Sequence, residues 1–441
     1  MSADRPAPAD VEPEAPREFR PTGEYRYPAM PADDVVRSGW TRLKQVFVTQ
    51  EDSAPMIAED RLQRATDGGF APAAARPACD PLRRELDATL AEWAASEPDP
   101  FVPRLQLIVL PPGDGDGDGG GLLAAWADRH GLERLASPPR DGKGSFAAPT
   151  HRPPDLRGQR EEGGRRDDPL VIPRLERWFL RRHDGLGPIR ALLEAIDRTD
   201  RRIVIGCNSW AWAFLKNAVD AHLVLPTGRT FQAFDADRLS SWFRELVSAP
   251  SAGGRGQDPV SFRLSDSGGT VLGADGRGDQ PNGSARDYYR TLAARSLGVP
   301  WVAWDLWRRS LRSETQAAKQ AEKEAAEIDP DADPADSAVA SPDEPERRTL
   351  WVAALEEFTL PARREPDALL ILHSLLIHGP LTEAELRGTA PMLRRGGTGL
   401  LSALAGAGFV SHLGKRIACA PAAYPAVRTG LSASGFPTDV L

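Results

Sequence analysis

Between residues 105 and 247 the chain alternates short apolar runs with helical patterns, and this alternation constrains its fold more than any other feature. Residues 105–110 (LQLIVL) and 203–205 (IVI) are almost entirely apolar, as strands buried on both faces of a sheet are. A helical pattern at residues 121–132 follows the first run, and another at residues 187–198 precedes the second. Strands that alternate with helices predict a parallel sheet covered by helices on both faces, which is an α/β fold.

Three further segments extend the pattern. Residues 169–182 (PLVIPRLERWFLRR) predict an apolar strand that runs into a helix, and residues 222–226 (HLVLP) predict another strand. Residues 235–247 predict a helix with Asp235 as its N-cap. The predicted sheet therefore has at least four parallel strands.

The strand at 203–205 is followed by a small and polar tip, residues 206–209 (GCNS), and then by aromatic residues at helical spacing. Asn208 and Ser209 are suitable N-caps for a helix at 210–218. In an open parallel sheet, ligands bind beyond the carboxyl ends of the strands. The tip can thus serve as a helix cap, as a ligand-facing strand end, or as both.

Composition limits the classes of function. The chain has 441 residues, a formal net charge of −8 and 41% hydrophobic residues, which fits two or three domains and argues against a surface that binds nucleic acid throughout. Its three cysteines lie far apart without a CxxC pair, so neither a zinc site nor a disulfide framework is indicated. No signal peptide or apolar run of about 18 residues is present, and we expect a cytoplasmic protein without a membrane span.

The C-terminal region has the clearest supersecondary pattern. Three helical segments precede a hairpin pattern at VSHLGKRIACAP, and Thr382 with Glu385 forms a capping box at the second helix. Helix–helix–helix–hairpin predicts a winged helix. Its candidate DNA or partner contacts lie at the start of the third, recognition helix and at the hairpin: Arg394, Arg395, Lys415 and Arg416. Residues 361–441 carry eight Lys or Arg against five Asp or Glu, so DNA binding and protein binding are both open.

From about residue 105 to 441, the chain resembles the AAA+ and STAND-type P-loop ATPases in the order of its elements. These elements are the strand ends, the helix–Gly–helix segment LAARSLGVPWVAWDLWRRSL and the winged helix. The resemblance implies a nucleotide site at the strand ends, a helical lid and a C-terminal winged helix. Asn208, at the end of IVIGCN, matches the polar residue that ends the family's sensor-1 strand. In the segment that matches the Walker B pattern, Leu175 and Glu176 agree.

The same comparison indicates that the site is eroded. A P-loop needs a Lys for the phosphates and a Ser or Thr for Mg²⁺, but PPGDGDGDGGGLL has neither. In this segment, Gly113 and Gly120 are the candidate P-loop glycines. Its aspartates (Asp114, Asp116 and Asp118) would repel a triphosphate. Pro173 and Arg174 replace the magnesium-binding Asp and the catalytic Glu of the Walker B pattern. The degenerate nucleotide-site positions are thus Gly113, Gly120, Pro173, Arg174, Glu176 and Asn208.

Other constellations have simpler interpretations. Cys207 could act as a nucleophile with His183 or His222, although a Cys at a strand end is more often a small core residue. Four arginines in the second strand–helix segment suggest a solvated face or an anion site: Arg174, Arg177, Arg181 and Arg182. Three tryptophans of the lid lie on one helix face and indicate packing rather than base stacking: Trp301, Trp304 and Trp307.

Composition shifts divide the chain into seven parts. The Pro- and Ala-rich start and the acidic stretch at 328–346 have little to bury and predict disorder and a linker. The expected N-terminal parts are a disordered segment (1–31) and a helical segment (32–100) with helices at 33–47 and 80–95. An AAA+-like α/β core (101–248) with an insertion at 137–168 follows, and then a Gly-rich insertion (249–283) with a hairpin at 260–272. The last parts are a helical lid (284–327), an acidic linker (328–348) and a winged helix (349–441).

The pattern predicts an α/β fold with a C-terminal winged helix, and the resemblance implies that the α/β part is P-loop NTPase-like with a helical lid. The expected function is that of a non-catalytic pseudo-ATPase, a scaffold or regulator that binds a protein partner and uses no cofactor or metal. The alternative is an ATP-dependent, DNA-binding regulator of the AAA+ plus winged-helix type. An enzyme that depends on Cys207 is a third class.

Overall fold

The computed structural model describes residues 18–31, 77–97, 99, 101–114, 121–140, 145–146, 154, 156, 168–248, 261–265, 267–273, 283–312, 349–360, 365–395, 398–439 and 441. The predicted helix at 33–47, most of the predicted insertion at 137–168 and the predicted linker at 328–348 lie outside these residues.

A mostly parallel, five-stranded sheet forms the centre of the core. Its strands are β1 (Arg20–Pro21), β2 (Leu105–Leu110), β3 (Leu170–Ile172), β4 (Ile203–Asn208) and β5 (Arg229–Thr230). Their order across the sheet is β1-β5-β2-β4-β3, and only β1 is antiparallel to its neighbour. Strands β2 and β4 pair over their full length, from Leu105 opposite Ile203 to Leu110 opposite Asn208. Their carboxyl ends therefore lie side by side.

Five helices accompany this sheet in the chain: α1 (Asp80–Ala95), α2 (Gly121–Arg129), α3 (Gly187–Arg198), α4 (Ser209–Ala218) and α5 (Ala236–Ser248). Asn208 ends β4 and caps α4, since its side-chain oxygen accepts a hydrogen bond from the Ala211 amide at 2.7 Å. At α5, Asp235 accepts a hydrogen bond from the Arg238 amide at 2.9 Å. Both predicted caps are thus present, and the α/β class is confirmed.

Two predicted elements are wrong. The helix expected after β3 is a single 3₁₀ turn, Leu175–Trp178, because the segment is buried on more than one side: Leu175, Trp178, Phe179 and Leu180 are all in the core. The strand expected at 222–226 is a 3₁₀ turn, Ala221–Leu223, and Leu223 is 77% exposed. A short apolar run does not become a strand where no neighbour covers it.

The end of the expected disordered N-terminus packs on the core instead. Strand β1 pairs with β5, and Phe19 and Tyr25 are buried among the aromatic residues around Phe231. The Tyr25 hydroxyl donates a hydrogen bond of 2.8 Å to the Leu297 carbonyl. Residues 18–31 therefore belong to the folded structure.

A second sheet joins the lid region to the Gly-rich insertion. Its strands are β6 (Ser261–Leu264), β7 (Thr270–Leu272), β8 (Leu311–Arg312) and β9 (Thr349–Val352), in the order β7-β6-β9-β8. The predicted hairpin is β6–β7, whereas β9 pairs with β6 rather than with the C-terminal region. The domain boundary expected at residue 349 thus cuts through this sheet.

The predicted helix pair of the lid is α6 (Gly283–Arg295) and α7 (Pro300–Ser310). Trp301, Trp304 and Trp307 are all buried, and the Trp304 and Trp307 rings lie 4.8 Å apart. Such burial leaves no ring face for a base. The tryptophans pack the lid against the core, as the helical spacing indicates.

The C-terminal region contains α8 (Glu365–His378), β10 (Leu381–Thr382), α9 (Glu383–Thr389), α10 (Thr398–Gly406), β11 (Val410–Leu413), β12 (Arg416–Cys419) and α11 (Tyr424–Ala433). The capping box of Thr382 and Glu385 is present. Strands β10, β12 and β11 form an antiparallel sheet. Helix α8 packs against α4 and against the 3₁₀ turn that follows β3, so this region lies directly over the strand ends of the core.

None of the helices that the structure describes is long and apolar enough to cross a membrane.

Candidate functional site

The ends of the parallel strands meet in one small cavity. The loops after β2 and β3 and the end of β4 line it, and two residues of the C-terminal region, Gly379 and Pro380, close it. The core residues that line it include Pro112, Gly113, Asp114, Pro173, Arg174, Glu176, Gly206 and Asn208. Its volume is about 30 Å³. That space holds about two water molecules, while pockets for small ligands measure roughly 300–1,000 Å³. The strand ends come together as predicted, but the described residues enclose no room there for a nucleotide.

The N-terminus of α2 holds a carboxylate of the chain itself. The Asp114 carboxylate accepts a hydrogen bond of 2.9 Å from the Leu122 amide, in the first turn of the helix. Gly121 begins the helix at φ 80°, and a side chain there would collide with the Asp114 carboxylate. Because free amides and the helix dipole attract anions, this position is the one where a phosphate would bind. Gly120, Asp116 and Asp118 lie outside the described residues.

Arg174 and Glu176 form a buried ion pair beneath this helix end. The Arg174 guanidinium lies 3.6 Å from the Glu176 carboxylate, and the two side chains are 14% and 4% exposed. Arg174 also donates a hydrogen bond to the Asp114 carbonyl. Burial raises the pKa of Glu176, and the positive charge of Arg174 opposes that shift. Arg174 therefore fills this end of the cavity and ties the β2 and β3 loops together.

Asn208 lines the cavity, but hydrogen bonds within the chain engage its amide, its side-chain oxygen and its side-chain nitrogen. Its amide donates to the Glu176 carboxylate at 3.2 Å, and its side-chain oxygen caps α4. Its side-chain nitrogen donates to the Ile377 carbonyl at 2.8 Å, near the end of α8. The polar strand end thus binds the C-terminal region.

Cys207 has the environment of a core thiol. It is buried, burial raises its pKa well above the ordinary value, and its sulfur lies 3.4 Å from the Asn208 carbonyl. His183 and His222 are exposed. Because nucleophilic cysteines need a lowered pKa and a nearby base, the geometry disfavours chemistry at Cys207.

Sequence analysis missed a set of buried contacts between the core and the C-terminal region. Arg140 forms an ion pair of 2.8 Å with Glu385 and is 12% exposed. The Arg181 guanidinium donates to His373 Nδ1 and to the Ser374 hydroxyl, both at 2.8 Å, and its amide donates to His378 Nε2 at 3.1 Å. The run of arginines after β3 was the only sequence signal. It marks an interface rather than a solvated face.

A second missed cluster surrounds Asp439. Its carboxylate accepts hydrogen bonds from the Ser209 hydroxyl at 2.5 Å, from the Tyr424 hydroxyl at 2.9 Å and from Arg428 Nε at 3.0 Å. Ser209 begins α4, directly behind Asn208. The chain therefore fastens its C-terminal segment to the same strand end from the other side. A single Asp near the C-terminus gives no such signal in sequence.

The predicted DNA contacts do not form one described surface. Lys415 is exposed at the turn between β11 and β12, but Arg416 donates a hydrogen bond of 3.2 Å to the Pro380 carbonyl, at the edge of the cavity. Arg394 and Arg395 lie in the 3₁₀ turn Pro391–Arg395, before α10, and their side chains are outside the described part.

Within the described residues, no group of three or more His, Cys, Asp or Glu side chains could hold a metal ion. No protein-family model matches the chain, and no curated protein is significantly similar to it in sequence.

Proposed function

We propose that the protein is a non-catalytic regulator or scaffold with an AAA+/STAND-like α/β core, in which the C-terminal region takes the place of a nucleotide at the strand ends. It acts through contacts with a protein partner. The order of three helices and a hairpin in the C-terminal region supports a winged-helix module as the part that the core holds.

One observation carries this proposal: the Asp114 carboxylate occupies the N-terminus of α2. A phosphate there would have to displace a hydrogen-bonded carboxylate and accept its negative charge at close range. Two like charges about 4 Å apart repel by about 1 kcal/mol in water and by more where solvent is excluded. Arg174 cannot offset this repulsion without leaving Glu176 buried and unpaired.

The tight contact between Asn208 and Ile377 supports a regulatory role. A chain that needs its strand ends for catalysis has to open them, but here polar contacts from both α8 and Asp439 hold them closed. Each buried hydrogen bond of this type contributes about 1 kcal/mol. A partner that competes for the C-terminal region would release it from the core. The protein would then have two states, one with this region docked and one with it released, and a regulator can use such a pair as a signal.

The nucleotide part of the proposal is tested by calorimetric titration with MgATP and MgADP, together with an assay for phosphate release. We expect no binding tighter than about 100 μM, which corresponds to about −5.5 kcal/mol. A thermal-unfolding series gives an independent measure, since a ligand with that affinity at about 1 mM would stabilise the fold by roughly 1.4 kcal/mol. Tighter binding or hydrolysis above background would contradict the proposal.

The partner role is tested by affinity purification and mass spectrometry with the wild type and Asp439→Asn. The matched control is Asp197→Asn, since Asp197 is exposed. We expect a partner whose recovery changes in Asp439→Asn alone, because this substitution loosens the C-terminal segment. Equal recovery from all three proteins would show that docking of this segment does not control partner binding.

DNA binding through the C-terminal hairpin is the second candidate, and the exposed Lys415 at its turn is the observation that favours it.

A further inference from the structure

We propose that the junction between the core and the C-terminal region binds a phosphate-class oxyanion, which the guanidinium groups of Arg177 and Arg416 hold from the two sides. This site lies beside the strand-end cavity, outside its lining. It goes beyond the proposed function, because it adds a small ligand that the regulator would respond to.

A chain of contacts brings the two arginines into one neighbourhood. The Arg140 guanidinium donates to the Arg177 carbonyl at 3.2 Å and forms its ion pair with Glu385. The Glu385 carboxylate accepts from the Thr382 amide at 2.7 Å, and Thr382 lies opposite Arg416 in the pairing of β10 with β12. Arg177 belongs to the core and Arg416 to the C-terminal hairpin, so the site spans the junction.

Positive charge at this junction is not balanced by the residues that the structure describes. Arg140 and Arg174 have carboxylate partners in Glu385 and Glu176. Arg177 and Arg416 are half-buried, and within the described part neither has a carboxylate at ion-pair distance. Among the described residues, the Arg416 guanidinium donates to the Pro380 carbonyl alone, and further donors of its fork remain for a ligand.

The electrostatic environment of Arg177 supports the same site. Burial, followed by the positive charges of Arg174 and Arg416, lowers its pKa to about 10, although Glu176 opposes the shift. A half-buried cation that is repelled by its neighbours gains from any anion placed between them. Two unpaired guanidiniums match a phosphate dianion, with a charge of about −1.5 to −2 and three acceptor oxygens, better than they match a single carboxylate.

Binding has a structural consequence that can be measured. Because one arginine comes from each side of the junction, a bound phosphate strengthens the docking of the C-terminal region. The full-length chain is therefore expected to unfold at a higher temperature in inorganic phosphate than in chloride of equal ionic strength. Pyrophosphate and a nucleotide without Mg²⁺ are parallel arms that distinguish a free oxyanion from a phosphate carried on a larger molecule.

The deciding variant is Arg177→Met, which removes the charge and keeps most of the apolar stem. Without phosphate this variant should unfold at the wild-type temperature or above it, since it relieves repulsion, and it should lose the phosphate response. Arg416→Met should weaken phosphate binding at least about tenfold, which is ~1.4 kcal/mol. Arg198→Met is the matched control, because Arg198 is exposed in an i,i+4 pair with Glu194, and it should respond like the wild type.

Two results would overturn the proposal. One is a wild type whose unfolding temperature is the same in phosphate and in chloride. The other is a phosphate response that Arg177→Met and Arg416→Met both retain. Failure here is distinguishable from failure of the proposed function: nucleotide binding that survives Arg177→Met would belong to the strand-end cavity, not to this junction.

Discussion

At the scale of single residues, the small tip of β4 has a steric reason. A Cβ added to Gly206 would collide with the Pro173 carbonyl and approach a methyl group of Leu123 to 2.9 Å. Gly206 is therefore needed because the β3 loop passes directly over it. Asn208, two residues later, is polar because it caps α4 and binds Ile377. The tip joins three parts of the molecule and gives each of them a hydrogen bond or a close contact.

This crowding predicts that Gly206→Ala destabilises the protein by about 1–3 kcal/mol, the usual cost of overpacking a core. The measurement is the free energy of unfolding from denaturant titration. Gly399→Ala is the matched control, since Gly399 is helical and exposed and a Cβ there meets nothing within 4 Å. The control should be neutral or up to about 1 kcal/mol more stable, because Ala has the higher helix propensity. A Gly206→Ala protein as stable as the control would contradict the packing described at the tip.

At the scale of elements, the ends of helices and strands carry the function proposed here. Helix α2 begins on the Asp114 carboxylate, α4 begins on Asn208, and α8 ends against both the Arg181 amide and the Asn208 side chain. Helix ends have unsatisfied backbone groups, so each of them needs a partner. The partners of α2 and α4 come from the core itself, whereas the end of α8 is held by core residues, so the strand ends form a contact with the C-terminal region.

The hairpin β11–β12 is the element that decides between the two candidate functions. Four phosphate contacts, from Arg394, Arg395, Lys415 and Arg416, would give a slope of log K against log salt near −3.6. Since Arg416 is half-buried at the junction with the core, we expect the docked state to offer a duplex the other three contacts, with a slope of about −2.7. With a net charge of −8 opposing it, we expect the full chain to bind duplex DNA more weakly than about 1 μM at about 150 mM salt.

Fluorescence anisotropy over a salt series measures this affinity. Arg394→Ala with Arg395→Ala tests the contacts. Arg387→Ala is the control, since Arg387 is exposed and forms an i,i+4 ion pair with Glu383 within α9. Micromolar or tighter binding that the double variant loses, with a slope flatter by about 2 units, would establish DNA binding in place of the protein-contact role.

At the scale of the whole molecule, two histidines, the half-buried His373 and the buried His378, hold the C-terminal region on the core. His378 Nε2 accepts from the Arg181 amide, and His373 Nδ1 accepts from the Arg181 guanidinium. Both must be neutral to accept these bonds. Burial lowers the pKa of His373 to about 3, with the Arg181 charge as the second cause, and burial lowers the pKa of His378 well below the ordinary value.

Docking is therefore expected to weaken in acid. In the unfolded chain both histidines titrate near their ordinary pKa of about 6.5, so below that pH the unfolded state binds more protons than the folded state. The free energy of unfolding should be at its full value above about pH 6.5. It should fall by up to about 1.4 kcal/mol per pH unit for each histidine as the pH drops toward 5.

Denaturant titration between pH 7.5 and 5 measures this slope. His373→Gln keeps an acceptor for Arg181 and should remove part of the slope, whereas His412→Asn should leave it unchanged, since His412 is exposed. A wild-type slope that His373→Gln does not alter would show that this histidine does not couple docking to protons.

The sequence by itself determined which segments form the α/β core and how their helices begin. Buried strands, amphipathic helices and caps such as Asn208, Asp235 and Thr382 are local, because periodicity and capping act over a few residues. It also indicated that the strand ends lack P-loop chemistry, since residue identity alone shows that. The same local patterns wrongly predicted a helix after β3 and a strand at 222–226. An apolar run does not show which other parts of the chain will pack against it, and those neighbours decide its secondary structure.

Only the tertiary structure decided what closes the strand ends. Periodicity states that a face is buried but does not name the element that buries it. The contacts that matter join residues far apart in the chain, such as Asn208 with Ile377, Arg140 with Glu385 and Ser209 with Asp439. Considered alone, each of these polar side chains is of a type that is common on protein surfaces. Burial forces them to pair, and this pairing joins the C-terminal region to the strand ends of the core.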